Sequence, residues 1–314
     1  MISVIMLTFN REKYVGNMIE DILGQSYADF EYIIVNNGST DGTKELLDKY
    51  AGLDKRIKVL KAEGAQSIGR GRNLGLRNAE GELIAFVDDD DRAAPDFLEF
   101  LVTLLRENDA DISMCGASEG NGETRSPQCI FDEKMILTGE EALRLLLGRK
   151  YIRAGTPTKL YRREILEQFP FEEARKNEDI HTQYKYLAAS KAVAIHGVDK
   201  YYFTRHGGNV SGFTGDAAKW DAQTMRDYLT AFHDRTEFVK EFAPDTYELA
   251  LYSEWSFMIS MIEKIDRFQL LDCEGVGREM AAVLREHRYR FINMPQIRDF
   301  ERAWMKKYIW SAAP

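Results

Sequence analysis

The sequence has few cysteines, and those it has lie far apart. Cys115, Cys129 and Cys273 are odd in number and form no CxxC spacing, which argues against a disulfide framework or a zinc site and favours a reducing compartment. Long apolar runs are also lacking, because the longest nearly apolar stretch, residues 249–262, carries Glu254 and is too short to span a bilayer. The first residues have no basic segment or cleavage site typical of a signal peptide. We therefore expect a cytoplasmic protein.

Positive charge is in the minority. The 314 residues include 42 Lys and Arg against 51 Asp and Glu, which gives a formal net charge of −9. This balance argues against nucleic acid as a partner, and an acidic protein that handles anionic ligands needs local cations or a metal ion. With 44% hydrophobic residues, the chain is long enough for a sizeable core and a second, smaller unit.

Apolar runs alternate with helical patterns through roughly the first hundred residues. One helical stripe is formed by Val15, Met18, Ile19, Ile22 and Leu23. The predicted strands are residues 3–9, 30–35, 57–60, 83–87 and 111–115. These runs are uninterrupted rather than alternating, as in strands covered on both faces. The pattern predicts right-handed crossovers and an α/β fold with a mostly parallel sheet flanked by helices.

The second half of the chain is less regular. Residues 117–137 are rich in glycine and polar side chains and are predicted to leave the sheet. Thr138 and Glu141 form a capping box before an apolar run. A helix is predicted over residues 176–190, followed by strands at 192–198 and 200–205. Strand signals then fade, which predicts an α/β domain over residues 1–215 and a helical C-terminal region over residues 216–314.

Four consecutive aspartates, Asp88 to Asp91, directly follow a predicted strand. A run of like charges is usually a solvated loop, so another role needs support. A calcium loop of EF-hand type would need Gly where the chain has Ala93, and a DxDx(T/V) phosphatase would need Thr or Val in place of Arg92. Two carboxylates two residues apart can instead hold one hard divalent cation, whose open positions a diphosphate fills. The strand aims the run at the edge of a parallel sheet where ligands bind, which favours this metal site.

The glycine-rich segment before that strand does not predict a dinucleotide site. Gly69, Gly71 and Gly75 make GxGxxxG rather than GxGxxG, and they do not follow the first strand. No GxxxxGK[ST] sequence is present either, so P-loop chemistry is not expected. The same segment carries Arg72, which could reach a phosphate.

Several motifs in sequence order resemble the family-2 inverting glycosyltransferases with a GT-A fold, over roughly residues 1–215. They are LTFN (7–10), VNNGSTDGT (35–43), GRNLGLRNAEGELIAFVDDDDRAAPD (71–96), KLYRREIL (159–166), the acidic pair Glu178 and Asp179, and YYFTRHGGNVSG (201–212). The resemblance implies transfer of a hexose or N-acetylhexosamine from a nucleotide sugar. The expected donor is a UDP-sugar, and the expected acceptor is a hydroxyl of a saccharide or lipid-linked glycan in cell-surface polysaccharide synthesis.

The resemblance also implies a set of donor-binding residues. Phe9 would stack on the base where the family often has Tyr, with a core aromatic as the alternative. Asn37 stands where the family usually has Asp, and its carbonyl can still accept a hydrogen bond from the N3–H of uracil. Arg72 would reach the nucleotide or its phosphates, with an ordinary surface arginine as the alternative. The complete set is Thr8, Phe9, Asn37, Arg72, Asp88, Asp89 and Arg205.

The implied cofactor is Mn²⁺ or Mg²⁺, and the implied catalytic base is Asp179. Asp90 would be a direct metal ligand, while Asp88 would bind the donor ribose, a metal-bound water or the metal itself. His206 would be a further metal ligand or a phosphate contact, with a structural histidine as the alternative. For Asp179 the alternative is an acidic helix start favoured by the helix dipole. The Asn36–Asn37 departure leaves open a catalytically inactive nucleotide-sugar sensor or scaffold.

The C-terminal region is locally basic. Residues 278–314 contain eight Lys and Arg against four acids, a local charge of +4, with aromatic residues interleaved. This pattern would suit peripheral contact with the anionic inner face of a membrane, where lipid-linked acceptors reside. We favour the other interpretation, a helix packed on the catalytic domain or on a second subunit of a homo-oligomer.

Overall fold

Hydrophobic strands alternate with amphipathic helices through the first half of the chain, as the sequence predicts. The computed structural model describes residues 1–62, 64, 66–175, 177–208 and 220–310. The chain divides into an N-terminal unit, Met1–His206, and a C-terminal unit, Gly207–Pro314. The predicted boundary at residue 215 falls within 209–219, outside the described residues, and it stays a prediction.

The elements are numbered in chain order within the described residues. The strands are β1 (Ile2–Thr8), β2 (Phe30–Asn36), β3 (Ile57–Lys61), β4 (Leu83–Asp88), β5 (Arg92–Ala93), β6 (Ile112–Gly120), β7 (Ser126–Gln128), β8 (Lys134–Leu137), β9 (Lys159–Arg162) and β10 (Val193–Thr204). The helices of the N-terminal unit are α1 (Val15–Leu23), α2 (Thr43–Leu53), α3 (Ile68–Arg77), α4 (Phe97–Glu107), α5 (Gly139–Leu147), α6 (Arg163–Gln168) and α7 (Glu178–Ala189). Those of the C-terminal unit are α8 (Ala222–Phe242), α9 (Tyr247–Phe268), α10 (Glu274–Glu286), α11 (Arg288–Ile292) and α12 (Asp299–Trp304), followed by a π-helical segment, Met305–Trp310.

One sheet of strand order β3-β2-β1-β4-β9-β6-β10-β5 forms the N-terminal unit, with β7 added to β6 and β8 to β10. Strands β1 to β4 are parallel to one another, as predicted. Strand β9 lies antiparallel between β4 and β6, while β10 is again parallel to β6. The predicted α/β fold class is confirmed, with a sheet that is parallel at one side and mixed at the other.

Two local predictions are wrong. Residues 117–137 do not leave the sheet, because β6 continues to Gly120 and β7 and β8 pair at the margin of the sheet. The two strands predicted at 192–198 and 200–205 are one strand, β10 (Val193–Thr204). Register shifts between His196 and Tyr201 interrupt the pairing of β10 with β6, and this irregularity is why the sequence resembles two strands. The capping box of Thr138 and Glu141 is confirmed.

Alternate residues of β1 divide the core between the two faces of the sheet. Ile2, Val4 and Met6 belong to a buried cluster that includes the apolar stripe of α1 and the inner face of α4. On the other face α3 lies close to β1, because Gly71 and Gly75 present no side chain: a Cβ added at either would come within 2.5 Å of the side chain of Leu7 or Ile5. This close approach brings the side chains of α3 to the carboxyl end of the sheet.

The C-terminal unit is helical, as predicted, and its tail packs on its own helices. Phe291, Met305 and Ile309 are buried in one apolar cluster with residues of α9 and α10. Glu301 is fully buried, and it accepts hydrogen bonds from the hydroxyls of Tyr252 (2.9 Å) and Ser256 (2.6 Å) as well as from Arg298. Among the described residues, none of the helices combines the length and the apolar character needed to cross a membrane.

Several basic residues of the tail are engaged within that unit. Arg290 pairs with Glu248 (2.6 Å), and Lys307 pairs with Asp266 (2.8 Å). Tyr289, however, is 63% exposed. The described packing partner of the tail is thus the C-terminal unit itself, whereas contact with a membrane or a second subunit stays a prediction.

Close packing of α3 predicts unequal effects of adding one methyl group at two helical glycines. A Cβ at Gly69 would lie 2.0 Å from the carbonyl oxygen of Glu172, whereas one at Gly52 in α2 would meet nothing within 4 Å. We expect Gly69→Ala to lower the free energy of unfolding by about 1–3 kcal/mol and Gly52→Ala to raise it by about 0.5 kcal/mol. Chemical denaturation followed by circular dichroism measures both. Equal effects of the two variants would contradict the described packing.

Candidate active site

The ends of β1, β2 and β4 bring several predicted site residues to one edge of the sheet. Thr8 lies opposite Asn36 in the register of β1 and β2, and Leu7 lies opposite Asp88 in that of β1 and β4. The aspartates after β4 and the turn after β2 are therefore neighbours at the carboxyl edge, where open α/β sheets bind ligands.

The end of β10 closes the aspartate run against the sheet. The backbone N–H of Asp88 donates to the hydroxyl of Tyr201 (3.0 Å), and the N–H of Thr204 donates to Oδ1 of Asp91 (2.8 Å). Asp91 is almost fully buried, and burial raises its pKa well above the ordinary value. Asp91 therefore holds β10 in place, a role that the sequence did not separate from those of its neighbours.

This closure brings the predicted residue His206 to the aspartates, whereas the predicted residue Arg205 bonds elsewhere. Nε2 of His206 lies 2.9 Å from Oδ2 of Asp90, and its ring stacks on that of Tyr14 with 4.4 Å between centroids. Arg205 is bonded to Glu119 on β6 and is half exposed. Of the two, only His206 directly contacts an aspartate of the run in the described hydrogen bonds and ion pairs.

Asp89 and Asp90 are faced by Arg11, which the sequence analysis missed. Nε of Arg11 lies 3.4 Å from Oδ1 of Asp89, and its NH2 group lies 3.7 Å from Oδ2 of Asp90. Burial raises the pKa of Asp89 to about 7, with the charges of Asp90 and Asp88 adding to the effect and Arg11 opposing it. The signal available in the sequence was position: Arg11 directly follows the LTFN motif.

Arg72 is buried, so the surface alternative for this residue is wrong. Its guanidinium bonds to the carboxylate of Glu178 and lies 3.5 Å from Oδ1 of Asp88. It also lies 5.6 Å from the ring centroids of both Phe86 and Phe171, a distance at which a cation is attracted to an aromatic ring. Arg72 therefore joins the aspartate run to the start of α7.

Asp179 lies in the first turn of α7 next to that buried pair. Asn177 precedes the helix in a left-handed conformation, with φ of 59°. Burial raises the pKa of Asp88, and the nearby charges of Asp90 and Asp179 raise it further, whereas Arg72 opposes the shift. The carboxylate of Asp179 is thus close enough to the aspartate run to act on it electrostatically. Its own side chain is partly exposed, as contact with a substrate requires.

The predicted base-binding residues differ in accessibility. Phe9 is 44% exposed, so the alternative of a core aromatic is wrong. Asn37 is buried, and its amide forms two hydrogen bonds with the backbone of Gln66: Nδ2 donates to the carbonyl (2.7 Å), and Oδ1 accepts from the N–H (3.0 Å). One lone pair of Oδ1 remains for a ligand.

The residues at this edge suit a divalent cation, although no group of three His, Cys, Asp or Glu side chains is arranged as a metal site within the described ranges. Carboxylate oxygen and imidazole nitrogen are ligands for Mn²⁺, and Mg²⁺ is commonly held by one or two carboxylates together with substrate phosphates. Asp90 and His206 are already in contact, and Asp88 and Asp90 repel each other, a repulsion that a cation would offset. A diphosphate would complete the coordination.

The buried pair of Arg72 and Glu178 predicts a large loss of stability on neutralising one partner. Glu178→Gln removes the carboxylate that bonds to the buried guanidinium and leaves Asp88, 3.5 Å away, as a weaker counterion, so we expect the free energy of unfolding to fall by about 3 kcal/mol. Glu140→Gln removes an exposed pair with Arg144 and is expected to cost less than about 1 kcal/mol. Urea titration of both variants measures the difference. Similar losses would show that Arg72 does not depend on Glu178.

Comparisons with known proteins agree with this architecture. The model of the family "Glycosyl transferase family 2" matches residues 3–169. The glycosyltransferase GlyG of Streptococcus pneumoniae is 29% identical over 74% of this chain and 78% of its own length. The poly(ribitol-phosphate) beta-N-acetylglucosaminyltransferase TarS of Staphylococcus aureus is 30% identical over 66% of this chain, but over only 36% of its own length.

Solved structures share the fold at lower identity. TarS residues 1–349 in complex with UDP-GlcNAc superpose with a TM-score of 0.62 at 20% identity, covering 98% of this chain and 89% of that one. The mannosyltransferase PcManGT from Pyrobaculum calidifontis, in complex with GDP-Man and Mn²⁺, gives a TM-score of 0.59 at 16% identity, covering 98% and 84%. The predicted GT-A fold is confirmed. Because the family model matches more than half of the sequence, the chain belongs to glycosyl transferase family 2.

Proposed function

We propose that this family-2 glycosyltransferase is a metal-dependent, inverting enzyme that uses a UDP-sugar. It transfers a hexose or N-acetylhexosamine to a hydroxyl of a saccharide or lipid-linked glycan in cell-surface polysaccharide synthesis. The observation that carries the proposal is the arrangement of Asp88, Arg72, Glu178 and Asp179, which sets a partly exposed carboxylate beside the aspartate run. The proposed setting is supported by relatives named as a poly(ribitol-phosphate) beta-N-acetylglucosaminyltransferase and as a putative teichuronic acid biosynthesis glycosyltransferase.

In this proposal the donor lies along the carboxyl edge of the sheet. Phe9 stacks on the base, and Asn37 accepts a hydrogen bond from its N3–H. Thr8 binds the donor from the end of β1, where it lies opposite Asn36. Support for uracil comes from TarS, which is solved with UDP and with UDP-GlcNAc. The diphosphate faces the cations of Arg72, Arg11 and Arg205, and Asp88 and Asp89 approach the ribose.

Asp90, Asp88 and His206 are the residues that would hold Mn²⁺ or Mg²⁺. The ion's chemistry there is neutralisation of the charge that develops on the departing nucleoside diphosphate. Arg11 faces Asp89 and Asp90 and supplies part of that neutralisation from the chain itself. Tyr14 stacks on the imidazole of His206 and restricts its orientation.

Asp179 is the proposed general base of a single displacement. Its carboxylate takes the proton of the acceptor hydroxyl while the hydroxyl oxygen forms a bond to the anomeric carbon. The bond from that carbon to the β-phosphate oxygen breaks, and the electron pair leaves with UDP. One displacement inverts the anomeric configuration. The buried ion pair of Glu178 and Arg72 fixes the helix turn that carries Asp179.

The proposed reaction takes place in the cytoplasm, and the three cysteines, which are free, suit a reducing compartment. The C-terminal region would meet the inner face of the membrane when the acceptor is lipid-linked. A catalytically inactive nucleotide-sugar sensor or scaffold is the competing function. Its support is the pair of amides, Asn36 and Asn37, which stands where the family usually has acidic side chains.

Asp179→Asn tests the proposed base. We expect sugar transfer to fall by about three orders of magnitude, because the amide cannot accept the hydroxyl proton, while calorimetry still shows binding of UDP with Mn²⁺. Asp48→Asn, which changes an exposed carboxylate on α2, should transfer normally. Full activity of Asp179→Asn would refute its role as base. A wild-type protein that binds UDP-sugars but never transfers or hydrolyses them would favour the sensor.

Asp90→Ala tests the proposed metal site without relying on turnover. Titration calorimetry should show that the affinity for Mn²⁺ in the presence of UDP falls at least about tenfold, because a direct ligand is lost. The control Asp48→Ala should bind Mn²⁺ like the wild type. If Mn²⁺ raises the melting temperature of the UDP complex equally in the wild type and in Asp90→Ala, the metal assignment is wrong.

A further inference from the structure

A basic loop, residues 148–158, connects α5 to β9 in the N-terminal unit. Between residues 142 and 163 the sequence has seven Lys and Arg and no acid, in a chain whose net charge is −9. Several of these cations bond to neighbouring groups, among them Arg144 to Glu140, Arg162 to Asp109, Arg163 to Glu167, and Lys159 to the carbonyl of Gly155. Arg149, Lys150 and Arg153 lie on the basic loop and are exposed, and Arg149 also interacts with a neighbouring group.

The end of the basic loop lies against the proposed base. Lys159 is buried, and its ammonium group donates to the carbonyl oxygen of Gly155. A Cβ added at Gly155 would lie 4.0 Å from Oδ2 of Asp179. Arg153 is only two residues from Gly155, so their Cα atoms are at most about 7 Å apart. The exposed guanidinium of Arg153 is therefore within reach of a molecule bound at Asp179.

The backbone of the loop is held in an unfavourable conformation. Arg149, Tyr151 and Thr158 have positive φ angles of 55°, 60° and 75°, a region that costs L-residues about 1 kcal/mol each. The ring of Tyr151 packs on Phe131 with 4.7 Å between centroids, yet Tyr151 stays 46% exposed. The loop thus presents cations and one aromatic side chain to solvent.

The cations of the basic loop are not required to neutralise the donor diphosphate. Arg72 and Arg11 already face the aspartates where the donor diphosphate is proposed to lie. Among the described residues, Lys150 and Arg153 form no ion pair with any acid, although Asp132 and Glu133 follow Phe131 nearby. Exposed Lys and Arg on a loop that reaches the proposed base are suited to phosphate, which both side chains bind through charge-assisted hydrogen bonds.

We propose that the basic loop binds the acceptor and selects one that carries phosphate. This inference rests on the proposed function, because it places the acceptor at Asp179. Arg153 and Lys150 contact phosphate groups next to the reacting hydroxyl, and Tyr151 stacks on a sugar or polyol unit. The phosphate belongs either to a phosphodiester-linked polymer or to the diphosphate of a lipid-linked glycan.

The test compares the full chain with the double variant Lys150→Gln and Arg153→Gln. A matched control, Lys49→Gln and Lys55→Gln, removes two exposed cations from the region of α2. Three acceptors are assayed with the UDP-sugar that gives the highest turnover: a glycerol-phosphate oligomer, a polyprenyl-diphosphate-linked sugar, and a neutral oligosaccharide. We expect the loop variant to raise KM for the phosphate-bearing acceptor about tenfold, with little change in kcat, and the control to leave it unchanged.

Each outcome has a defined meaning. Wild-type preference for the oligomer or for the lipid-linked sugar identifies the source of the phosphate, and the loop variant should lose that preference. In the wild type, rising salt should raise KM for the preferred acceptor more than KM for the neutral one. If the wild type transfers efficiently but the loop variant keeps KM and selectivity unchanged, the acceptor inference is overturned while the proposed function stands. If wild type transfers to none of the acceptors and does not hydrolyse the donor, the proposed function itself fails.

Discussion

The buried cation of Arg72 is the interaction on which the arrangement of the site depends. It comes from α3, bonds to Glu178 at the start of α7, and lies 3.5 Å from Asp88 at the end of β4. A buried guanidinium is stable only with its counterions in place, so its position fixes the two carboxylates relative to each other. Glycines on α3 make this geometry available, because they let the helix lie close enough to β1 for Arg72 to reach both partners.

The carboxylates at the sheet edge outnumber the cations that face them. Asp88, Asp89 and Asp91 all have raised pKa values, and burial is the main cause for each. Their roles nevertheless separate by hydrogen bonding. Asp91 accepts a hydrogen bond from the backbone of β10, Asp89 faces Arg11, and Asp90 faces His206. Asp88 and Asp90 repel each other, so a bound cation would stabilise this pair.

Patterns among neighbouring residues predicted several elements of the fold. They predicted the strands that carry Thr8 and Asp88 and the capping box of Thr138. The pairing of Arg72 with Glu178 joins residues 106 positions apart, so no local pattern contains it. The antiparallel β9 and the irregular β10 also depend on partners distant in the sequence. The resemblance to a family supplied candidate residues, but Arg11 and Lys159 became visible only through their contacts.

The two sides of the candidate site are built from different kinds of structure. Donor-side residues follow strands whose register is fixed by the hydrogen bonds of the sheet, so their spacing has little freedom. Near Asp179 the chain instead uses the basic loop, whose strained backbone is anchored at one end by Lys159. A loop can change its length and charge without disturbing the sheet. The proposed donor side therefore depends on the register of the sheet, whereas the proposed acceptor side depends on the sequence of one loop.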